Sequence, residues 1–71
     1  MGDREIFGEV LKKFRNERNL TQEELADMAQ VDTNTISNYE RGRSLPRFDA
    51  LVRLTAALQV DLKEILKEML V

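Results

Sequence analysis

Two closely spaced helix starts constrain this chain more than any other feature. Thr21 and Glu24 form a T-x-x-E pattern directly before an apolar periodic run, and Asp32 stands before the next one. In the first pattern the hydroxyl and the carboxylate each satisfy an otherwise orphaned backbone N–H, and Leu20 can pack on Leu25 as a hydrophobic staple. At the second start Asp32 is the cap and Val31 staples Ile36. Between the two, Leu25, Ala26 and Ala29 share one helical face, and Ile36 and Tyr39 resume an apolar face three residues apart. The stretch QEELADMAQVDTNTISNYER, from Gln22 to Arg41, therefore reads as two short helices meeting steeply at a tight turn. Ala26 is small enough for the backbones to approach, and Ile36 fills the angle. The second helix keeps an outer face of Thr33, Asn34, Ser37 and Asn38, which is polar and almost uncharged.

The rest of the chain continues in helices. The first is expected from about Arg4 to Arg18, with Asp3 as cap and Phe7, Val10, Leu11 and Phe14 inward. Gly8 interrupts it at a cost of about 1 kcal/mol relative to Ala unless a close contact needs it. Asn19 ends it by taking the left-handed conformation. Gly42 is a left-handed stop for the third helix, and RSLPR, which holds the single proline, is a loop. A fourth helix is expected from Phe48 to Leu58 with Leu51, Leu54 and Leu58 inward. A fifth follows from Leu62 to Leu70, opened by Asp61 and Glu64 as a D-x-x-E box and by a Val60–Ile65 staple. Leu62, Ile65, Leu66, Met69, Leu70 and Val71 give that last helix a wide apolar stripe, part of which is an interface candidate.

The fold class is all-α, a compact five-helix arrangement forming one domain over residues 1–71. A chain of 71 residues allows one small domain and a thin core. No cysteine is present to staple it, so well-packed helices or association must stabilise it. No run is apolar and long enough for a membrane span and no signal segment is evident, which points to a soluble cytoplasmic protein. The net charge is −2, from 11 basic and 13 acidic residues. Its distribution is uneven: residues 33–47 carry three basic residues and one acidic, whereas residues 1–32 carry five and eight.

The run LTQEELADMAQVDTNTISNYERGRSLP, from Leu20 to Pro46, resembles the helix-turn-helix of the lambdoid phage repressor and Cro family, also called the Xre family of bacterial regulators. The likeness extends into LKKFRNERN before it and LVRLTAALQVDLKEIL after it. It rests on the joint spacing of TQEELA, Ile36, the ERG of Glu40 to Gly42, and Pro46. The resemblance implies a repressor-like fold and a bacterial or phage-encoded regulator that binds double-stranded DNA. Its third helix would enter the major groove while the second crosses above the backbone.

By resemblance, Thr33, Asn34, Thr35 and Asn38 are the base-reading positions. Asn can pair with an adenine edge and a Thr methyl can lie on a thymine methyl, which favours A·T steps. Gln22 matches the family's phosphate contact at a helix N-terminus. Ser37, Arg41, Arg43 and Arg47 are further phosphate candidates. Arg15 and Glu40 stand where relatives form an ion pair joining the first and third helices. The family often has Gly where this chain has Gln30 and Gln59, so a left-handed glutamine is expected at both, each at roughly 1 kcal/mol.

One short helix reads few base pairs, so a homodimer on a palindromic operator is expected, with Leu45 and Pro46 or Leu66, Met69 and Leu70 at its contact. The alternatives are a protein-interaction or antirepressor module that keeps the fold, or the DNA-binding domain of a longer repressor. An acidic ring around the third helix would favour the module; arginines beside Thr33 and Asn38 favour DNA. With no His and no Cys, and with little room for a closed pocket, the chain is not expected to be an enzyme or to hold a metal, cofactor or small-molecule ligand.

Overall fold

The computed structural model describes residues 2–71, and five helices follow one another in them: α1 Asp3–Glu17, α2 Gln22–Ala29, α3 Thr33–Glu40, α4 Phe48–Leu58 and α5 Leu62–Met69. Helix α2 packs on α3 and α4, and α1 packs on α3 and α5. The core lies where these faces converge, with Leu11, Leu25, Ile36, Leu54, Leu58 and Ile65 fully buried. Phe7, Val10 and Phe14 are buried beside them as the spacing predicts, and the Phe7 ring meets Tyr39 edge to face at 6.3 Å. Leu51 lies half-buried against this core, and the deeper position in the first turn of α4 belongs to Ala50. None of these helices is long and apolar enough to cross a membrane.

The helix starts divide into strong and weak ones. The Thr21 hydroxyl accepts the Glu24 N–H at 3.0 Å and the Glu24 carboxylate accepts the Thr21 N–H at 2.8 Å, so the reciprocal box is complete. At α5 the Asp61 N–H donates to the Glu64 carboxylate at 3.5 Å, a looser version. Asp32 occupies the N-cap of α3 without a side-chain capping bond; its backbone carbonyl takes the N–H groups of Thr35 and Ile36 instead. Asp3 is not the cap of α1. Gly2 is extended there, and Asp3 joins Glu5 inside the first turn, where negative charge complements the helix dipole.

Four helices end in the same way. Asn19, Gln30, Gly42 and Gln59 all have positive φ, between 57° and 75°. In each case the following residue's N–H reaches back five residues: Leu20 to Arg15, Val31 to Ala26, Arg43 to Asn38 and Val60 to Thr55, at 3.0–3.2 Å. Only one of the four stops is a glycine. Both glutamines adopt the left-handed conformation expected of them, so the turn geometry is kept without glycine.

Gly8 is explained by the crossing of α1 over the end of α3. A Cβ there would lie 2.4 Å from the Tyr39 carbonyl oxygen and 2.8 Å from that of Glu40. The glycine lets the two backbones touch, which an isolated helix pattern cannot reveal.

Candidate nucleic-acid interface

The crossing of α1, α2 and α3 is fixed by one carboxylate. Glu40, at the last residue of α3, accepts Arg15 Nε at 2.7 Å and Arg15 Nη2 at 3.0 Å, a bidentate pair between side chains only 10% and 4% exposed. Arg15 Nη1 also donates to the Leu20 carbonyl at 2.7 Å. These bonds hold the guanidinium still further above its already high pKa, chiefly through Glu40. The pair expected between the first and third helices is therefore present and nearly buried.

Gln22 adds a third member. Its side-chain Nε2 donates to Glu40 Oε1 at 3.0 Å, so this first residue of α2 is half-buried and oriented by the ion pair. One amide N–H is thereby committed, and the second N–H and the Oε1 stay uncommitted by protein. The sequence pattern placed Gln22 at a helix N-terminus but contained no sign of this bond.

The outer face of α3 is almost free of charge. Thr33 and Asn34 are exposed, while Thr35, Ser37 and Asn38 are half-buried. The only carboxylate within α3 is Glu40, turned inward into its pair. Arg41, Arg43 and Arg47 are exposed at the end of α3 and along the loop, and among the described residues none lies within 4.0 Å of a carboxylate. A groove of about 380 Å³ between α3, the loop and α4 brings Arg47 together with Thr35 and Asn38. Thr33, Asn34, Arg41 and Arg43 lie outside that groove's lining.

Three residues of this region escape sequence reasoning. Arg53, half-buried on α4, lines the groove, donates from Nε to the Ala29 carbonyl at 2.9 Å and lies 3.7 Å from Asp49. The i,i+4 spacing of Asp49 and Arg53 was the one available signal. Tyr39 also lines the groove, and burial raises its phenol pKa above the usual value. Phe48 is 71% exposed and stands with Leu45 and Val52 as an apolar surface at the start of α4. Among the interface candidates Leu45, Leu66 and Leu70 are exposed, whereas Pro46 and Met69 are half-buried.

A family model described as helix-turn-helix matches residues 11–65. Multiprotein-bridging factor 1 of Candida albicans is 39% identical over 56 residues, covering 79% of this chain and 37% of that protein. The crystal structure of the clp gene regulator ClgR from Corynebacterium glutamicum superposes with a TM-score of 0.90 at 31% identity, covering 94% of this chain and 71% of that one. The restriction-modification controller protein C.Esp1396I, as a tetramer in complex with its natural 35 base-pair operator, superposes with a TM-score of 0.81 at 30% identity, over 94% of this chain and 93% of that one. The chain spans from 29% to 57% of the length of the curated relatives it matches.

Proposed function

The chain belongs to the helix-turn-helix family, and on that premise we propose that it is a transcriptional regulator, a repressor, that binds duplex DNA sequence-specifically as a homodimer on a palindromic operator. The observation that carries this reading is the outer surface of α3: uncharged hydrogen-bonding side chains flanked by Arg41, Arg43 and Arg47, with its single carboxylate withdrawn into the core. That surface suits a phosphate backbone and base edges; exposed Asp32 at the N-cap of α3 and exposed Asp49 in the groove are the carboxylates beside it, against the three arginines.

In this reading Thr33, Asn34, Thr35 and Asn38 meet base edges in the major groove. Gln22 and Ser37 hold phosphates with the three arginines, and Gln22 does so from an orientation set by Glu40. No arginine lies among the base-reading positions, so the contacts favour adenine and thymine edges over a bidentate guanine contact. That the controller protein binds its operator as a tetramer supports binding by more than one copy of this chain. Without His or Cys the chain acts by binding and not by catalysis, in the cytoplasm where the chromosome lies.

Selection of binding sites from random duplexes at stated low salt tests the proposal. Enrichment of an inverted repeat with half-sites about 34 Å apart is the expected result. No enrichment overturns DNA recognition, and enrichment without symmetry overturns the homodimer.

A further inference from the structure

Every left-handed helix stop in this fold is accompanied by an arginine that donates to a carbonyl of the same turn. Arg15 holds Leu20 after Asn19, and Arg4 reaches Arg43 after Gly42, the latter at 3.4 Å. At the two glutamine stops Arg53 of α4 holds Ala29 before Gln30, and Arg18, the residue just past α1, holds Leu58 before Gln59. The longest of these bonds belongs to the one turn that has a glycine. A side chain in the left-handed region is strained and glycine is not, so an external restraint matters most at the glutamines.

From this correlation we infer that Arg53 is a positioning residue for the recognition helix, clamping the non-glycine turn at Gln30 from α4 and so fixing the angle at which α3 leaves α2. The inference rests on the DNA-binding reading for its consequence, but not for the clamp itself. Three features single out Arg53. Its Nε–H is spent on the last carbonyl of α2, at 2.9 Å. Its Nη1 is 3.7 Å from Asp49, one turn earlier on α4, which restrains the guanidinium. The turn it holds is the only connection between α2 and α3. The guanidinium thus spends its Nε–H on the protein backbone, while its remaining N–H groups face the groove side of α4, so the salt dependence of binding decides between support and phosphate contact.

The test has an arm without DNA and an arm with it. Amide hydrogen exchange is followed at Val31 and Val60, whose N–H groups close the Gln30 and Gln59 turns. In Arg53→Met the Val31 amide is expected to exchange about tenfold faster while Val60 keeps its rate, the signature of local opening. No change at Val31 overturns the clamp, and equal acceleration at both amides reduces Arg53 to a general stability role and overturns it as well. With DNA, the ratio of specific to non-specific affinity is expected to fall about tenfold in Arg53→Met, because a loosened support misplaces every base contact together. Adding Gln30→Gly, which removes the strain, restores most of that ratio.

A salt slope shallower by about one in Arg53→Met would make the residue a phosphate contact and overturn its positioning role. An unchanged ratio in a protein that selects an operator does the same. If the unmodified chain selects no operator at all, the DNA-binding reading fails, and the exchange rates still decide the clamp.

Discussion

Gly8 lies directly beneath the carbonyl of Tyr39, where a methyl group would approach that oxygen to 2.4 Å. Gly8→Ala gains helix propensity of about 1 kcal/mol, yet backbone cannot yield as a flexible side chain does, so overpacking prevails. With rigid backbone opposite, the overpacking cost lies near the upper end, about 3 kcal/mol, so the expected net loss is about 2 kcal/mol, at roughly 4–8 °C in Tm per kcal/mol for a domain of this size. Thermal unfolding by circular dichroism reads it directly, and a Tm equal to that of the unmodified chain would refute the close contact.

Glu40 is the residue whose removal leaves the most unpaired. Its carboxylate receives two bonds from Arg15 and one from Gln22, and breaking a nearly buried pair from one side costs about 3–5 kcal/mol. Glu40→Ala and Arg15→Met are each expected to lose that much in denaturant titrations, whereas Gln22→Ala loses about 1 kcal/mol. The double variant Arg15→Met with Glu40→Ala should lose less than the sum, since no charge is then left alone. Strict additivity would show that the two side chains do not interact.

The features legible in the sequence are those set by local chemistry. The Thr21–Glu24 box involves neighbours on one turn, whereas the left-handed Gln30 and Gln59 follow from the resemblance to a family that often has Gly at those two positions. Phe7, Val10, Leu11 and Phe14 follow from helical period alone. What the sequence hid depends on which helices cross. Gly8 answers carbonyls some thirty residues away, Ala50 is buried in the groove that α4 shares with α3, and Gln22 bonds to a carboxylate at the far end of α3. Asp3 misled in the opposite direction, since the chain enters α1 through Gly2, while Asp32 holds the expected N-cap position of α3 but without a side-chain capping bond. The groove beside α3 was invisible for the same reason, because Arg53 reaches it from another helix.

Tyr39 predicts an alkaline limit. Burial raises its phenol pKa above 10.0, so the folded state holds that proton more tightly than the unfolded chain does. The stability this contributes is fully present below pH 10, about the unfolded value, and is lost as pH rises through the higher folded value. Tyr39→Phe should therefore resemble the parent at pH 7 and lose less stability from pH 10 upward. Parallel pH profiles for the two proteins would remove Tyr39 from the account.

The arginines around α3 are predicted to act on every sequence equally. Arg43→Ala and Arg47→Ala should each weaken specific and non-specific binding alike and reduce the slope of log K against log salt by about one. Asn38→Ala should instead lower preference at one base pair by about 1–3 kcal/mol and leave the slope unchanged. Fluorescence anisotropy across a salt series separates the two patterns, and a base preference altered by Arg43→Ala would contradict the division of roles.

Two apolar surfaces compete for the contact between copies of the chain. Of exposed Leu45, Phe48 and Val52, Leu45 lines the groove beside α3 together with Arg47 and Phe48 follows Arg47 directly in the chain, so a partner there would crowd the surface assigned to phosphates. Leu66 on α5 and Leu70 at its C-cap lie four residues apart, 49% and 86% exposed, with Val71 beyond them. That helix packs chiefly on α1 and leaves α3 free, so a contact there is compatible with DNA binding. Sedimentation equilibrium is expected to give a dimer for the unmodified chain and a folded monomer for Leu66→Glu with Leu70→Glu, because both side chains are exposed and their loss spares the core. Phe48→Glu should remain dimeric. If Phe48→Glu alone yields the monomer, the contact lies at the start of α4, and a monomeric parent with and without DNA would end the homodimer proposal.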